Sequence, residues 1–200
     1  MSGTEVRDRR SERNLASRRE ILSAAWEAAR ADGLAGLSMR DLGARVGMRA
    51  QSLYVYYPSK HAIFDAMFAE ANQDILDRVS DVPVTGDPVA DLRRYTHVYL
   101  QFCNEDVVRY QLLYQRTIPG FEPSAESYAL ASKGLDIIRR GLRACGVTST
   151  RAFDAWTAMI GGLAAQQLAN EPGGKRWLRL ADELTDLYLT RYAPASLKEK

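Results

Sequence analysis

"SMRDLGARVGMRAQSLYVYYPSK", residues 38–60, decides the fold. Ser38 and Asp41 have the spacing of a capping box, in which a side-chain oxygen takes up an N–H left open at a helix start. Leu42 and Val46 then share an inward face. Gly47 breaks the helix where a left-handed backbone is needed, a conformation glycine adopts without steric cost. A third short helix is expected from about Ala50 to Tyr57, stopped by Pro58, because the residue before proline is pushed out of the α region. Two short helices joined by a tight glycine turn have the layout of a helix-turn-helix, or of an ordinary helical hairpin. Gly43 bears on the choice. Glycine inside a helix costs about 1 kcal/mol relative to alanine, and close approach of the following helix would offset that.

The second helix of such a motif enters the major groove and presents its N-terminal residues to base edges. Arg49, Gln51 and Ser52 lie there; arginine pairs with guanine and glutamine with adenine. Tyr54, Tyr56 and Tyr57 follow within four positions. Consecutive helical residues point about 100° apart, so the rings cannot all face one way. Leu53 and Tyr57 are expected inside, and Tyr54 and Tyr56 toward the duplex, where a phenol can lie on a sugar edge while its hydroxyl reaches a phosphate. The competing reading of any one tyrosine is a core ring. Lys60 opens the next helix as a point charge for the backbone.

Outward from this stretch, Ile21, Ala24, Ala25, Ala28 and Ala29 mark one face of a preceding helix that starts near Ser17 and ends at Gly33. Residues 1–16 hold four arginines against three acids without periodicity. They read as a disordered arm, either solubilising or reaching an adjacent minor groove. Ser59 can cap a long helix that runs through Ile63, Phe64, Met67 and Ala71. "DVPVTGDP", residues 81–88, is a boundary with two prolines and a glycine; Asp87 and Pro88 suit an N-cap and first turn. Later helical periods are split by "TIPGFEPS", residues 117–124, and by "EPGG", residues 171–174, with the last two helices at about 150–170 and 174–192. No strand alternation or internal repeat occurs. The chain reads as all-α with about nine helices, divided at about residues 75/76.

"LSMRDLGARVGMRAQSLYVYYPSKHAIF" resembles the DNA-binding domain of the TetR-type, tetracycline-repressor-like regulators. The resemblance spans residues 17–75, with the motif at 38–57, and rests on Ser38, Leu42, Gly43, Gly47, Leu53, Tyr54, Tyr56, Tyr57, Ser59, Lys60 and Ile63. Gly43 stands where alanine is commoner, and Tyr57 where phenylalanine or valine is. The resemblance implies a three-helix head and a helical ligand-binding and dimerisation domain over 76–195. It places Met39 and Arg40 near phosphates, has Arg49, Gln51, Ser52, Tyr54 and Tyr56 read or brace the groove beside the variable Ala50, and makes Lys60 a backbone clamp. The function implied is a homodimeric transcription regulator, a repressor released from operator DNA by a small molecule; an architectural DNA-binding protein without ligand control is the alternative.

For the effector, expected to be hydrophobic or aromatic, Tyr95, Tyr99, Phe102, Tyr110, Tyr114, Trp156 and Met159 form a candidate aromatic wall with His97 as a polar tip; each ring can equally be core. For the dimer, Ile160, Leu163 and Gln167 share a face of one late helix, and Trp177, Leu180, Leu184, Leu187 and Tyr188 share one of the next, or both helices complete a monomer core.

Composition fits this reading. The 200 residues are 46% hydrophobic and 26% charged, ordinary for a soluble chain. Net charge is +2 overall, yet residues 1–60 carry eleven basic against seven acidic side chains, a basic head suited to an anion. No apolar run approaches the ~18 residues of a membrane span, and the arginine-rich start is no signal peptide. Two cysteines and two histidines without ligand spacing predict no disulfide, metal or cofactor and suit a cytoplasmic setting. No nucleophile elbow, phosphate loop or HExxH pattern points to an enzyme.

Overall fold

The structure, a computed structural model, describes residues 2–195, with side chains from Ser11 onward. Among the described residues nine α-helices follow one another: α1 (Ser2–Gly36), α2 (Met39–Arg45), α3 (Ala50–Leu53), α4 (Lys60–Ser80), α5 (Pro88–Glu105), α6 (Val107–Tyr114), α7 (Ala125–Ala144), α8 (Thr150–Asn170) and α9 (Ala181–Tyr192). A 3-10 turn, Leu178–Leu180, precedes α9. No strand occurs among the described residues, so the all-α expectation holds.

The chain packs as two units. The first takes the described residues up to Glu70 together with Gln111–Ser127; the second takes Ala71–Tyr110 together with the described residues from Tyr128 on. In the first unit, Ile21, Ala25, Leu42, Leu53, Ile63, Phe64 and Met67 are sealed from solvent, and each large apolar side chain so buried contributes roughly 1.5–3 kcal/mol relative to exposure. In the second, α5, α8 and α9 pack on one another around Leu92, Leu100, Trp156, Ile160, Leu163 and Tyr188.

Several starts follow the side chains named from sequence. Ser38 Oγ accepts from Asp41 N–H at 3.2 Å, Ser59 Oγ from Ala62 N–H at 3.0 Å, and Asp87 from Val89 and Ala90 N–H with Pro88 in the first turn. Others differ. α1 is helical from Ser2 and kinked at Gly33 (φ 76°), so residues 2–16 are not an unstructured arm and Ser17 lies inside the helix rather than capping it. α3 closes at Leu53, and residues 54–57 continue as a tightened turn with bonds from Tyr56 and Tyr57 N–H to Leu53 C=O. The last helix begins at Ala181 rather than 174, because Gln167 Oε1 holds Trp177 N–H at 2.9 Å and diverts the chain. On α7, Tyr128 and Leu135 are exposed.

Candidate nucleic-acid interface

The interface grows from the contact between α2 and α3. A methyl group on Gly43 would lie 2.7 Å from Met48 C=O and 3.2 Å from Ala50 N. The two helices therefore touch backbone to backbone, which explains glycine in a helix interior. Gly47 takes φ 66°, and Met48 N–H returns to Gly43 C=O at 2.8 Å, closing the turn. Ser38 Oγ also donates to Asp41 at 2.6 Å, and this bond holds the Asp41 carboxyl below its ordinary range.

Leu53 and Tyr57 are buried, as expected. Tyr57 donates its hydroxyl to Arg18 C=O at 3.2 Å, under the Arg18 guanidinium at 4.6 Å from the ring centroid; burial pushes its phenol pKa up, against the pull of that cation. Trp26 Nε1 donates to Glu70 at 2.6 Å, tying α1 to α4.

What remains on the surface is the set expected from sequence to face a duplex. Arg49, Gln51 and Ser52 are exposed, Tyr54 is 49% exposed, and Ala50, Tyr56 and Lys60 are half-buried. Among the described residues, no hydrogen bond or ion pair ties the side chains of Arg49, Gln51, Ser52 or Tyr54. Met39 is half-buried at the start of α2 and Arg40 projects fully beside it, loosely paired with Asp41 at 3.6 Å. Lys60 Nζ lies 5.6 Å over the Phe64 ring. Val55, which sequence reasoning passed over, is 77% exposed on the same turn; an apolar side chain between two tyrosines was the available signal.

The loop at 117–124 joins this unit. Phe121 packs edge-on against Phe64 at 5.8 Å and against His61 at 6.0 Å. Ser124 N–H donates to Asp65 Oδ1 at 2.7 Å, and Ser127 Oγ to Asp65 C=O at 3.4 Å. The loop is thus fastened to the first two turns of α4, directly after Lys60. His61, Arg116, Ile118 and Phe121 line a cavity of about 360 Å³ beside it.

The residues expected to wall an effector site differ in burial and in contacts. Phe102 is buried under the Arg109 guanidinium at 3.7 Å. Arg109 and Arg78 pair with Asp74 and Glu105. Trp156 stacks edge-on with Tyr188 at 4.9 Å. Tyr110 is buried, and Tyr95, Tyr99 and Met159 are half-buried. Tyr114 is exposed and belongs to the first unit. His97 points outward to Asp182 at 2.8 Å. Neither cavity of about 360 or 540 Å³ is lined by any of these eight residues.

The face expected to pair two chains needs a correction. Ile160, Leu163, Gln167 and Tyr188 are each at most 4% exposed within one chain, so they are protomer core and offer no surface to a partner. Tyr188 donates to Ala152 C=O at 2.8 Å, and Gln167 bonds the loop at 171–178. Trp177 and Leu184 are half-buried, while Leu180 and Leu187 are exposed. Added methyl groups at Gly161 and Gly162 would meet nothing.

This geometry defines a helix-turn-helix protein with an all-helical body. Residues 21–67 match the model of the bacterial regulatory proteins of the tetR family. Among solved structures, the chain is similar to the TetR family transcriptional regulator PfmR from Thermus thermophilus, at 21% identity over 85% of this chain and 97% of that one (TM-score 0.63). It is similar to the fatty acid degradation regulator FadR from Bacillus halodurans, at 11% identity over 86% and 94% (TM-score 0.67). A transcriptional regulator of the TetR/AcrR family from Thermobifida fusca matches at 20% identity over 90% and 100% (TM-score 0.62). No curated protein matches. The family match is confined to residues 21–67, and the solved structures share the fold of the chain. No helix among the described residues is long and apolar enough to cross a membrane, and no group of His, Cys, Asp and Glu among them is placed to hold a metal ion.

Proposed function

We propose that the chain is a homodimeric, sequence-specific DNA-binding transcription regulator, a repressor released by a small hydrophobic or aromatic effector. The observation that carries this reading is the untied surface of α3 and its following turn: Arg49, Gln51, Ser52 and Tyr54 exposed on a scaffold whose other side is locked into the core. Hydrogen-bonding side chains left without internal partners on a rigid support suit base edges and phosphates. Met39, Arg40 and Lys60 flank them as backbone contacts, Ala50 and Tyr56 brace the groove wall, and Val55 meets an apolar base edge.

One four-residue helix makes too few contacts for specificity. Two of them, about 34–36 Å apart, reach successive major grooves, so the function requires a second copy. Leu180, Leu184 and Leu187, with the open Gly161–Gly162 stretch, are the surface that pairs. Effector binding acts by population shift, favouring a spacing of the heads that no longer matches the half-sites. α4 is the lever, since its residues belong to both units.

A salt titration of binding to duplex fragments tests the reading. Affinity falls steeply with salt, and Lys60→Ala lowers the log–log slope by about 1. Binding that ignores salt, or that Lys60→Ala leaves unchanged in slope, contradicts it.

A further inference from the structure

We propose that the corner between α7 and α8 is a binding site for an organic oxyanion, a phosphate or carboxylate carried on a flat apolar group. The groove there has a volume of about 540 Å³, within the roughly 300–1,000 Å³ of small-molecule sites. Arg139, Arg140 and Arg143, from the end of α7, are in its lining. The lining holds one acid, Asp136, already paired with Arg139 at 3.2 Å. The side chains of Arg140 and Arg143 have no ion pair or hydrogen bond among the described residues. Like charges one helical turn apart repel; Asp136 pairs with Arg139 alone, and among the described residues no ion pair neutralises Arg143. A bound oxyanion would, and the guanidinium fork matches carboxylate and phosphate oxygens in pairs.

The rest of the groove fits the same class of ligand. The lining also holds Thr148 and Thr150, neither in a described side-chain bond, on either side of the Ser149 cap of the 21-residue α8. Ser149 is occupied as its cap, accepting from Ala152 N–H at 3.1 Å. The apolar part of a ligand would lie on Phe153, whose ring sits under the Arg139 guanidinium at 4.4 Å, and the buried Leu142 and Val147 are in the same lining. Cations and hydroxyls lining a groove together with apolar side chains describe an amphipathic anion rather than a bare one. The site lies wholly in the second unit, and it does not rest on the DNA-binding reading.

Calorimetry on the full chain tests this with three probes: 1-naphthyl phosphate, inorganic phosphate and 1-naphthol. The expected order is naphthyl phosphate tightest at one per chain, phosphate weaker, naphthol weakest. Arg140→Ala with Arg143→Ala, both exposed positions, weakens naphthyl phosphate by about tenfold or more, as loss of a charge-assisted pair requires. Phe153→Leu weakens naphthyl phosphate and leaves inorganic phosphate unchanged. The proposal is overturned if the native chain binds none of the three, if the double arginine variant binds as tightly as the native chain, or if Arg179→Ala with Arg191→Ala weakens binding equally, which would reduce the effect to general surface charge.

Discussion

Gly43 is where α2 and α3 meet backbone to backbone. An unexplained glycine in a helix called for a close neighbour, and the neighbour is Met48 C=O, 2.7 Å from where a methyl group would sit. Gly43→Ala gains about 1 kcal/mol of helix propensity but forces backbone apart, an overpacking cost of roughly 1–3 kcal/mol. The expected outcome is a lower unfolding midpoint and weaker duplex binding; a variant that keeps both contradicts the packing described. Tyr57→Phe removes a hydroxyl bonded to Arg18 C=O and is expected to cost about 0.5–1.5 kcal/mol in chemical denaturation, with a loss near zero as the contrary result. The cysteines follow from burial. It raises the Cys103 thiol to about 12 and the Cys145 thiol to about 11, so both stay protonated at pH 8. Neither is expected to react with a thiol reagent until the chain unfolds, and rapid labelling of native protein would refute that. The residue-scale predictions succeeded where one steric fact governs: Gly47 in a left-handed turn, Ser38, Ser59 and Asp87 as caps, Leu53 and Tyr57 inside.

At the scale of elements, periodicity located the helices but not the segments between them. The 117–124 loop carries no repeating pattern, so nothing in its order of residues announces that Phe121 and Ser124 fasten to Phe64 and Asp65, more than fifty positions away. Asp65→Ala and Phe121→Ala are expected to loosen it, raising amide exchange over 117–124 and over the first turns of α4 together. The stability loss for Phe121, which is only half-buried, should fall below the roughly 3–5 kcal/mol of a fully buried ring. Exchange confined to the loop would show that α4 does not feel it. The loop before α5 is fastened differently. Thr85 donates its hydroxyl to Asp91 at 2.7 Å and its N–H at 2.9 Å, and these bonds hold the Asp91 carboxyl below its ordinary pKa. With the folded value below the unfolded one, the stabilisation is present above the ordinary carboxylate range and is lost as pH falls through the lowered value. Denaturation between pH 7 and pH 3 should therefore show a shallower acid loss for Asp91→Asn than for the native chain; parallel curves would remove Asp91 from the account.

For the whole molecule, the sequence carried the architecture and misplaced part of one surface. A helical stripe shows which residues cluster but not whether the partner is the same chain or a copy. Ile160, Leu163, Gln167 and Tyr188 make a convincing stripe, and the structure spends it on packing α5, α8 and α9 together. Leu187, 58% exposed, is the better guide to assembly. Leu187→Glu is expected to shift the protein toward monomer in sedimentation and to remove specific duplex binding with it; a variant that stays dimeric places the pairing surface elsewhere. The effector wall was harder to read still, because rings that pack a core and rings that line a pocket share the same helical spacing, as Phe102 and Trp156 show.

Selection of duplexes from a random-sequence library by the purified native chain bears most directly on the claim that α3 reads DNA as a symmetric pair. The account predicts enrichment of an inverted repeat whose half-sites lie about 10 bp apart, centre to centre, or a multiple of that. Recovery of no preferred sequence, or of a lone half-site without its mirror image, would contradict it.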